Sequence, residues 1–470
     1  MRKLILSLAA TPLILGSIAV SAQAADDVAT GAAAPADAGF NILSDVKFKG
    51  ELRTRYQYLD IDALSSRKVN SLDPASIITN RTNLNFSAKL FELEGLNAEM
   101  ELNAVNDFGS QYGDGTQIDK HVPAKVRGSN KAGEVAEAKI SQANISYTNS
   151  GTTGLVGRKT VNIDNQRWVG SVGWKQNFQT LDLALLAYAT EDKAFNIMAA
   201  YVYGVNAIGD TGYDYGQGAV YNGVVGSGST TSGVLHASYK IMDPLTITGY
   251  GYLLGSVSDT YGLSATGKIS LADGINMNYR AEYALQTKAS LEHSQLGPKS
   301  AADNVSSQYI NADVGANIKG VLVGLNYEVL GANKDYDRTK AASGPALQTR
   351  LATKHKFNGW ADQFLKTPDG GLQDINARLG YKSKSVGKVL AVYHKFGTAQ
   401  DMSNKDGDAA TDLGSEIDFL YTRAVPGVTG LKGLIKAAMY SGGDVVTLKN
   451  SYTSDKTMIW AQLDYKFATK

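Results

Sequence analysis

The sequence predicts an all-β fold, a transmembrane antiparallel up-and-down β-barrel of about 18 strands that follows a cleaved signal peptide. Apolar and polar residues alternate with a period of two along most of the chain, as they do on strands with one apolar and one polar face. Short turns alternate with long connections, which is typical of outer-membrane barrels. After residue 24, no apolar run is long enough for a membrane helix.

The composition excludes several classes of function. The chain has 470 residues, of which 43% are hydrophobic and 19% are charged, and 46 Lys and Arg oppose 45 Asp and Glu for a net charge of +1. This balance argues against a nucleic-acid partner held by bulk charge. Because there is no cysteine, disulfides, thiol nucleophiles and cysteine-ligated metals are excluded.

The N-terminus has the features of an export signal. A short basic region, Met1 to Lys3, precedes an apolar stretch over residues 4–20, and Ala22 and Ala24 form a small-x-small cleavage site. The alternative, a retained membrane anchor, is disfavoured because the apolar stretch is short. The predicted divisions are a signal peptide (1–24), a flexible periplasmic tail (25–44) and an outer-membrane barrel with long extracellular loops (45–470).

The first predicted strand shows the pattern on which the barrel rests. Val46, Phe48 and Leu52 share one face, and Lys47 and Arg53 share the other. Similar segments recur along the chain, and tyrosines near their ends suit interfacial aromatic girdles. A soluble sandwich or propeller also alternates, but it would not need the turn rhythm together with so many charges on one strand face. The predicted strands span 46–59, 80–91, 95–106, 134–148, 153–158, 178–190, 193–206, 232–241, 244–256, 259–270, 273–287, 307–319, 321–331, 371–383, 387–397, 413–424, 429–441 and 456–467.

A barrel of this size encloses an aqueous channel, so the polar strand faces are expected to line a pore. Charges of both signs on the wall either orient polar solutes or pair with each other and keep the lumen wet. The first two strands are strongly basic, and we expect their stripe to favour anions. The predicted pore-lining residues are Lys47, Lys49, Arg53, Arg55, Arg81, Lys89, Glu99, Glu101, Arg280, Glu282, Asp374 and Arg378.

Two connections have the composition of binding loops. Residues 158–177 combine cations, amides and two tryptophans, a mixture that suits contact with sugars or carboxylates, although a well-packed surface loop is the alternative. The connection 332–370 is the longest, and folding inward to narrow the pore would explain its length. The predicted constriction residues are Arg158, Arg167, Trp168, Trp174 and Lys175.

Several runs resemble the alginate export porins of Gram-negative outer membranes. They are DNQRWVGSVGWKQNFQTLD from Asp164, NYEVLGAN from Asn326, LATKHKFNGWADQFLKTPDGGLQDI from Leu351, AVYHKF from Ala391, GSEIDF from Gly414 and MIWAQLDYKF from Met458. The resemblance covers most of the mature chain and implies a barrel of eighteen strands. The mixed lumen charge departs from the strongly basic pore that a dedicated polyuronate exporter should have.

The sequence therefore predicts an outer-membrane porin for passive diffusion of small hydrophilic solutes, with anions or sugar acids among the candidates. The alternatives are a selective channel or exporter for an acidic sugar or polysaccharide such as alginate, and a non-transport barrel such as a lipase-type enzyme or an adhesin. No catalytic residue, metal or cofactor is expected. The expected partners are outer-membrane lipid, lipopolysaccharide and, during biogenesis, the barrel-assembly machinery.

Overall fold

The structure is a computed structural model of the chain. The predicted signal peptide and most of the predicted tail lie outside the described residues. Among the residues described, no helix is long and apolar enough to cross a membrane. The structure describes residues 41–61, 74–108, 111–112, 136–208, 228–291, 305–340, 344–446 and 452–469.

Strands from Leu43 onward form a single antiparallel sheet that closes on itself. Apart from the short β4, each strand pairs with the next along the chain, and the last strand pairs with the first, with Leu52 opposite Tyr465. The strands are β1 (Leu43–Ile61), β2 (Ala75–Leu90), β3 (Leu96–Asn106), β4 (Gln111–Tyr112), β5 (Glu137–Asn149), β6 (Thr152–Lys159), β7 (Thr180–Ala189), β8 (Phe195–Asn206), β9 (Gly228–Met242), β10 (Leu245–Leu254), β11 (Ser258–Ala272), β12 (Ile275–Thr287), β13 (Ser306–Ile318), β14 (Val321–Leu330), β15 (Leu372–Ser383), β16 (Gly387–Ser403), β17 (Ala409–Ala424), β18 (Leu431–Ser441) and β19 (Lys456–Ala468).

The closed barrel wall has 18 strands, because β4 is a two-residue piece that pairs only with β2. The predicted fold class is therefore confirmed. Every predicted strand is present with its ends displaced by only a few residues, and the largest extension is at the end of β16. Closure leaves no strand edge in lipid, so every strand has a partner on both sides for its backbone hydrogen bonds.

The two faces of the wall have the reverse of a soluble protein's polarity. The outward face exposes apolar side chains such as Leu325 (60% exposed) and Leu379 (62%). The inward face buries charges such as Arg55 and Asp418, which are both 0% exposed. A sheet with apolar residues outside and charges inside is stable only where the outside meets hydrocarbon.

The two rims of the barrel differ in their connections. Short turns such as 91–95, 243–244, 273–274 and 319–320 lie at one rim, which we call the short-turn rim. The opposite rim carries most of the long connections. Two of these fold back into the lumen and form the candidate site: residues 160–179 between β6 and β7, and the described residues 331–340 and 344–371 between β14 and β15.

Candidate functional site

The connection 160–179, here called the first inward segment, crosses the lumen to the opposite wall. The Arg167 guanidinium forms a buried ion pair with Glu328 of β14 at 2.9 Å. The Trp168 indole Nε1 donates to the Glu282 carboxylate of β12 at 2.9 Å, and its ring meets Tyr309 edge-on. A segment that starts at β6 and reaches these strands therefore spans the channel.

Three arginines of β1 and β2 hold the far end of this segment by its main chain. Their guanidinium groups donate to three successive carbonyl oxygens, a use of arginine that fixes backbone position. Arg55 also lies over the Trp174 ring at 4.0 Å. The hydrogen bonds join Arg53 to Gly173 (3.0 Å), Arg55 to Trp174 (2.6 Å) and Arg81 to Lys175 (3.1 Å).

This arrangement corrects the prediction that Arg55 and Arg81 line an open pore. Their exposed fractions are 0% and 1%, because the first inward segment covers them. A buried guanidinium needs hydrogen-bond acceptors, and carbonyls together with Gln462 and Glu51 provide them. Two of the arginines in the predicted anion stripe are thus buried anchors. Lys47 and Lys49, near the start of β1, remain exposed.

The connection 331–371, here called the second inward segment, packs against the first. Leu351 and Val169 form a parallel bridge, and the Thr353 backbone N–H donates to the Gln166 carbonyl at 3.1 Å. The His355 ring stacks on Trp174 with centroids 4.9 Å apart and planes 7° from parallel. The two inward segments therefore form one joined obstruction inside the barrel.

Two carboxylates of β17 hold the second inward segment against the wall. Glu416 accepts from the Ala361 backbone N–H at 2.7 Å, and Asp418 accepts from the Trp360 backbone N–H at 3.2 Å. Gly359 precedes these residues with φ +84°, and a Cβ there would lie 2.3 Å from the Glu416 carboxylate. The segment needs glycine at this point both for its backbone conformation and for space.

A polar chain inside the obstruction links the second segment to β18. Asp362 Oδ1 lies 2.7 Å from His355 Nδ1, and His355 Nε2 lies 2.7 Å from the Lys436 Nζ. Burial lowers the pKa of His355 to about 3, outweighing the nearby Asp362 carboxylate, and Lys436 and Lys175 lower it further. His355 is therefore neutral at pH 7, with Nδ1 donating to Asp362 and Nε2 accepting from the Lys436 ammonium.

Lys436 is also enclosed by aromatic rings. Its Nζ lies 3.9 Å from the Trp360 ring centre, 4.1 Å from that of Trp174 and 5.3 Å from that of Trp460. An ammonium held over indole faces is stabilised by the ring quadrupoles. Because Trp174 and Trp360 come from different inward segments, this single lysine joins both segments to the wall.

The remaining predicted wall residues form local pairs. Most of them face the lumen with a partner on the same or a neighbouring strand, as the paired alternative anticipated. Lys89 instead pairs with Asp45 and Glu94 at the short-turn rim. The other pairs are Glu99 with Lys159, Glu101 with Ser141, Arg280 with Glu282, Asp374 with His394 and Arg378 with Asp313.

Arg158 is a second correction, because it does not belong to the constriction. It lies within β6, two residues beyond the outward-facing Val156, whereas Lys159 turns inward to Glu99. Arg158 therefore shares the outward face and pairs there with Asp182 of β7 at 2.7 Å. Arg158 is both the last residue of the predicted strand and the first of the predicted loop, and the period of two of the strand, not the loop, fixes its direction.

A cavity of about 1120 Å³ lies between the inward segments and the wall formed by β1 and β17–β19. It reaches the turn around Gly427 at the short-turn rim, and Trp174, Trp360 and His355 face it from the inward segments. The charged residues among its lining are Arg53, Lys356, Lys432, Lys436, Lys466 and Asp464. Five cations against one carboxylate make this cavity electropositive.

Sequence reasoning missed Lys356 and Trp360 as residues of the site. Both lie in the second inward segment, where no regular period indicates direction. The period of two places Lys432, Lys436, Asp464 and Lys466 on the polar strand faces that are predicted to line the lumen. It could not show that these residues surround one cavity.

Comparison with known proteins supports the fold. No protein-family model matches the sequence, and no curated protein matches it. The chain is similar to crystal structures of OccAB2 from Acinetobacter baumannii (16% identity, TM-score 0.64, covering 90% of this chain and 98% of that one) and OpdQ from Pseudomonas aeruginosa (15%, 0.61, 91% and 99%). OccAB4 from A. baumannii gives a TM-score of 0.65 at 12% identity, covering 91% and 99%. At these identities the likeness shows that the chain shares the complete barrel architecture of these proteins.

Proposed function

We propose that the chain is an outer-membrane porin through which small hydrophilic solutes diffuse passively. The observation that carries this proposal is the polarity of the barrel. It exposes apolar side chains on the outside and encloses charged residues around a cavity of about 1120 Å³ on the inside. The complete barrels of OccAB2 and OpdQ, which are Gram-negative outer-membrane porins, support it.

We further propose that the channel favours small anions, including sugar acids. The cavity between the inward segments and the wall formed by β1 and β17–β19 is lined by five cations and one carboxylate. Lys432, which points into the lumen near the short-turn rim, is exposed at its mouth. A cleft lined by one sign of charge raises the local concentration of the opposite ion.

Two other candidates have less support. Export of an acidic polysaccharide, suggested by the resemblance to alginate export porins, would require an open basic path, whereas Arg55, Arg81 and Arg167 are buried by their own contacts. A lipase-type barrel would need a serine activated by a histidine. The nearest arrangement places His236 Nε2 against Asp164 at 3.0 Å, so this ring nitrogen is engaged away from Ser238.

Solute flux into proteoliposomes tests the proposal. Vesicles containing the refolded mature protein are expected to swell rapidly in isosmotic gluconate and slowly in a large dextran. Replacement of Lys432 by Gln should slow the gluconate rate relative to that of a neutral solute of similar size. If protein-containing vesicles swell no faster than empty ones, the chain is not a porin.

A further inference from the structure

A second cavity, of about 330 Å³, lies in the lumen beside β6–β9 and under the start of the first inward segment. Gly151 and Ala189, whose main chains are hydrogen-bonded at 2.9 Å, line its end at the short-turn rim. No lysine or arginine is among the described residues that line it. It therefore differs in charge from the larger cavity.

Polar side chains from three strands and the first inward segment converge on this space. Asp164 and His236 are joined at 3.0 Å, and Ser238 follows His236 on the same face of β9. Amides and hydroxyls of this kind both donate and accept, so they match ligand hydroxyl groups. The polar lining consists of Thr153, Asn162, Asp164, Asn196, His236 and Ser238.

The Asp164 carboxylate already has polar neighbours. His236 contacts its Oδ2 at 3.0 Å, and the Arg280 guanidinium, which pairs with Glu282 at 2.6 Å, lies 4.0 Å from the same atom. An anion would meet this carboxylate without a lysine or arginine in the described lining. The cavity is thus suited to a neutral ligand that donates hydroxyl hydrogens to Asp164.

The remaining lining gives the shape of the ligand. Val161, Ile163 and Met198 add apolar groups to the lining, interleaved with the hydrogen-bonding groups. The volume lies at the lower end of the range of about 300–1,000 Å³ found for small-molecule sites. A ring that carries both hydroxyls and C–H groups fits this mixed lining.

We propose that this second cavity binds a neutral cyclic polyol of monosaccharide size. The inference rests on the proposed porin function, because the cavity lies beside the lumen wall formed by β6–β9. It adds a solute class, since the larger cavity is electropositive and the described lining of this one holds no lysine or arginine. The barrel would then hold two sites of different chemistry on two sides of the inward segments.

Saturation-transfer NMR with D-glucose as the probe, on the full mature protein in detergent, tests the proposal. Wild type is expected to bind glucose saturably. Asp164→Asn keeps the shape but removes the charged acceptor and should weaken binding about tenfold. Ser238→Leu fills the cavity from β9 and should abolish binding while Asp164 and His236 stay in place.

Lys432→Gln, which alters only the larger cavity, is the matched control and should leave glucose affinity unchanged. Absence of saturable glucose binding by wild type would overturn the inference, and so would equal affinity in wild type and both cavity variants. Gluconate flux into vesicles separates the two proposals. Flux without glucose binding rejects this site alone, whereas loss of flux rejects the porin function itself.

Discussion

At the scale of single residues, the lumen charges act mainly as anchors. Arg53, Arg55 and Arg81 hold the first inward segment by its carbonyls, and Glu416 and Asp418 hold the second by its amides. A charge buried in a low-dielectric interior is stable only with such partners. The strand charges therefore set the position of the obstruction, and fewer of them remain available to a passing solute.

Replacing Arg55 by Met should loosen the first inward segment. The change leaves the Trp174 carbonyl and the Gln462 amide oxygen without this donor, at a cost of about 1–3 kcal/mol for each orphaned group. The expected result is a lower thermal midpoint in detergent and a noisier, larger open-channel current. Lys49→Met, at an exposed position of the same strand, should change neither. Equal midpoints in the two variants would contradict the anchoring role.

His355 should make folding stability depend on pH. Because its pKa falls from 6.5 to about 3 on folding, His355 is protonated in the unfolded chain and neutral in the folded chain at pH values between these two. The stability associated with the neutral His355 is fully present above pH 6.5, and the free energy of unfolding falls progressively as the pH falls toward 3. His355→Gln, which keeps a donor and an acceptor but does not titrate, should flatten this part of the curve of thermal midpoint against pH. Identical curves for the two proteins would show that another group is responsible.

At the scale of elements, strands and inward segments differ in how far the sequence predicts them. The period of two located every wall strand in the sequence, because alternate residues of each strand face lipid and water and must be apolar and polar in turn. The inward segments have no such constraint, and their paths depend on partners far along the chain, such as Glu328 for Arg167. Composition therefore indicated binding loops at Trp168 and Trp174, but not which wall residues they meet. Arg158 is assigned to the predicted loop although it also ends the predicted strand, and the strand determines where its side chain points.

Substitutions at two glycines with left-handed backbone conformation can distinguish the effect of backbone strain from the effect of a steric clash. Gly359 (φ +84°) would place a Cβ against Glu416, whereas Gly407 (φ +87°) has open space around it. Alanine at either position costs about 1–2 kcal/mol in the backbone, and Gly359→Ala should cost more because the second inward segment must shift. We expect larger conductance and a lower thermal midpoint only for Gly359→Ala. Matching effects at both glycines would contradict the packing described for this segment.

At the scale of the whole molecule, the membrane barrel is defined by which face of its wall meets lipid. Closure by β1 and β19, the apolar outward face and the charged interior are mutually consistent only in a bilayer. The same substitution made on opposite faces should therefore have opposite consequences. Leu379 of β15 faces outward, and Leu390 of the neighbouring β16 faces inward.

Leu379→Arg should impede insertion, because an outward arginine costs about 2–4 kcal/mol near the bilayer midplane. Leu390→Arg places the same side chain in the aqueous lumen and should fold nearly as well as wild type. The measurement is the folded fraction of each variant in lipid vesicles as urea is diluted. Equal folded fractions for the two variants would mean that these residues do not lie on opposite faces of a membrane barrel.

Planar-bilayer recording of the purified mature protein in a salt gradient is the sharpest test of whether this barrel is an anion-favouring porin. We expect discrete ohmic conductance steps with a reversal potential displaced toward anion selectivity, and a smaller displacement after Lys432→Gln. A protein that inserts without conducting, or that conducts with cation selectivity, would contradict this function.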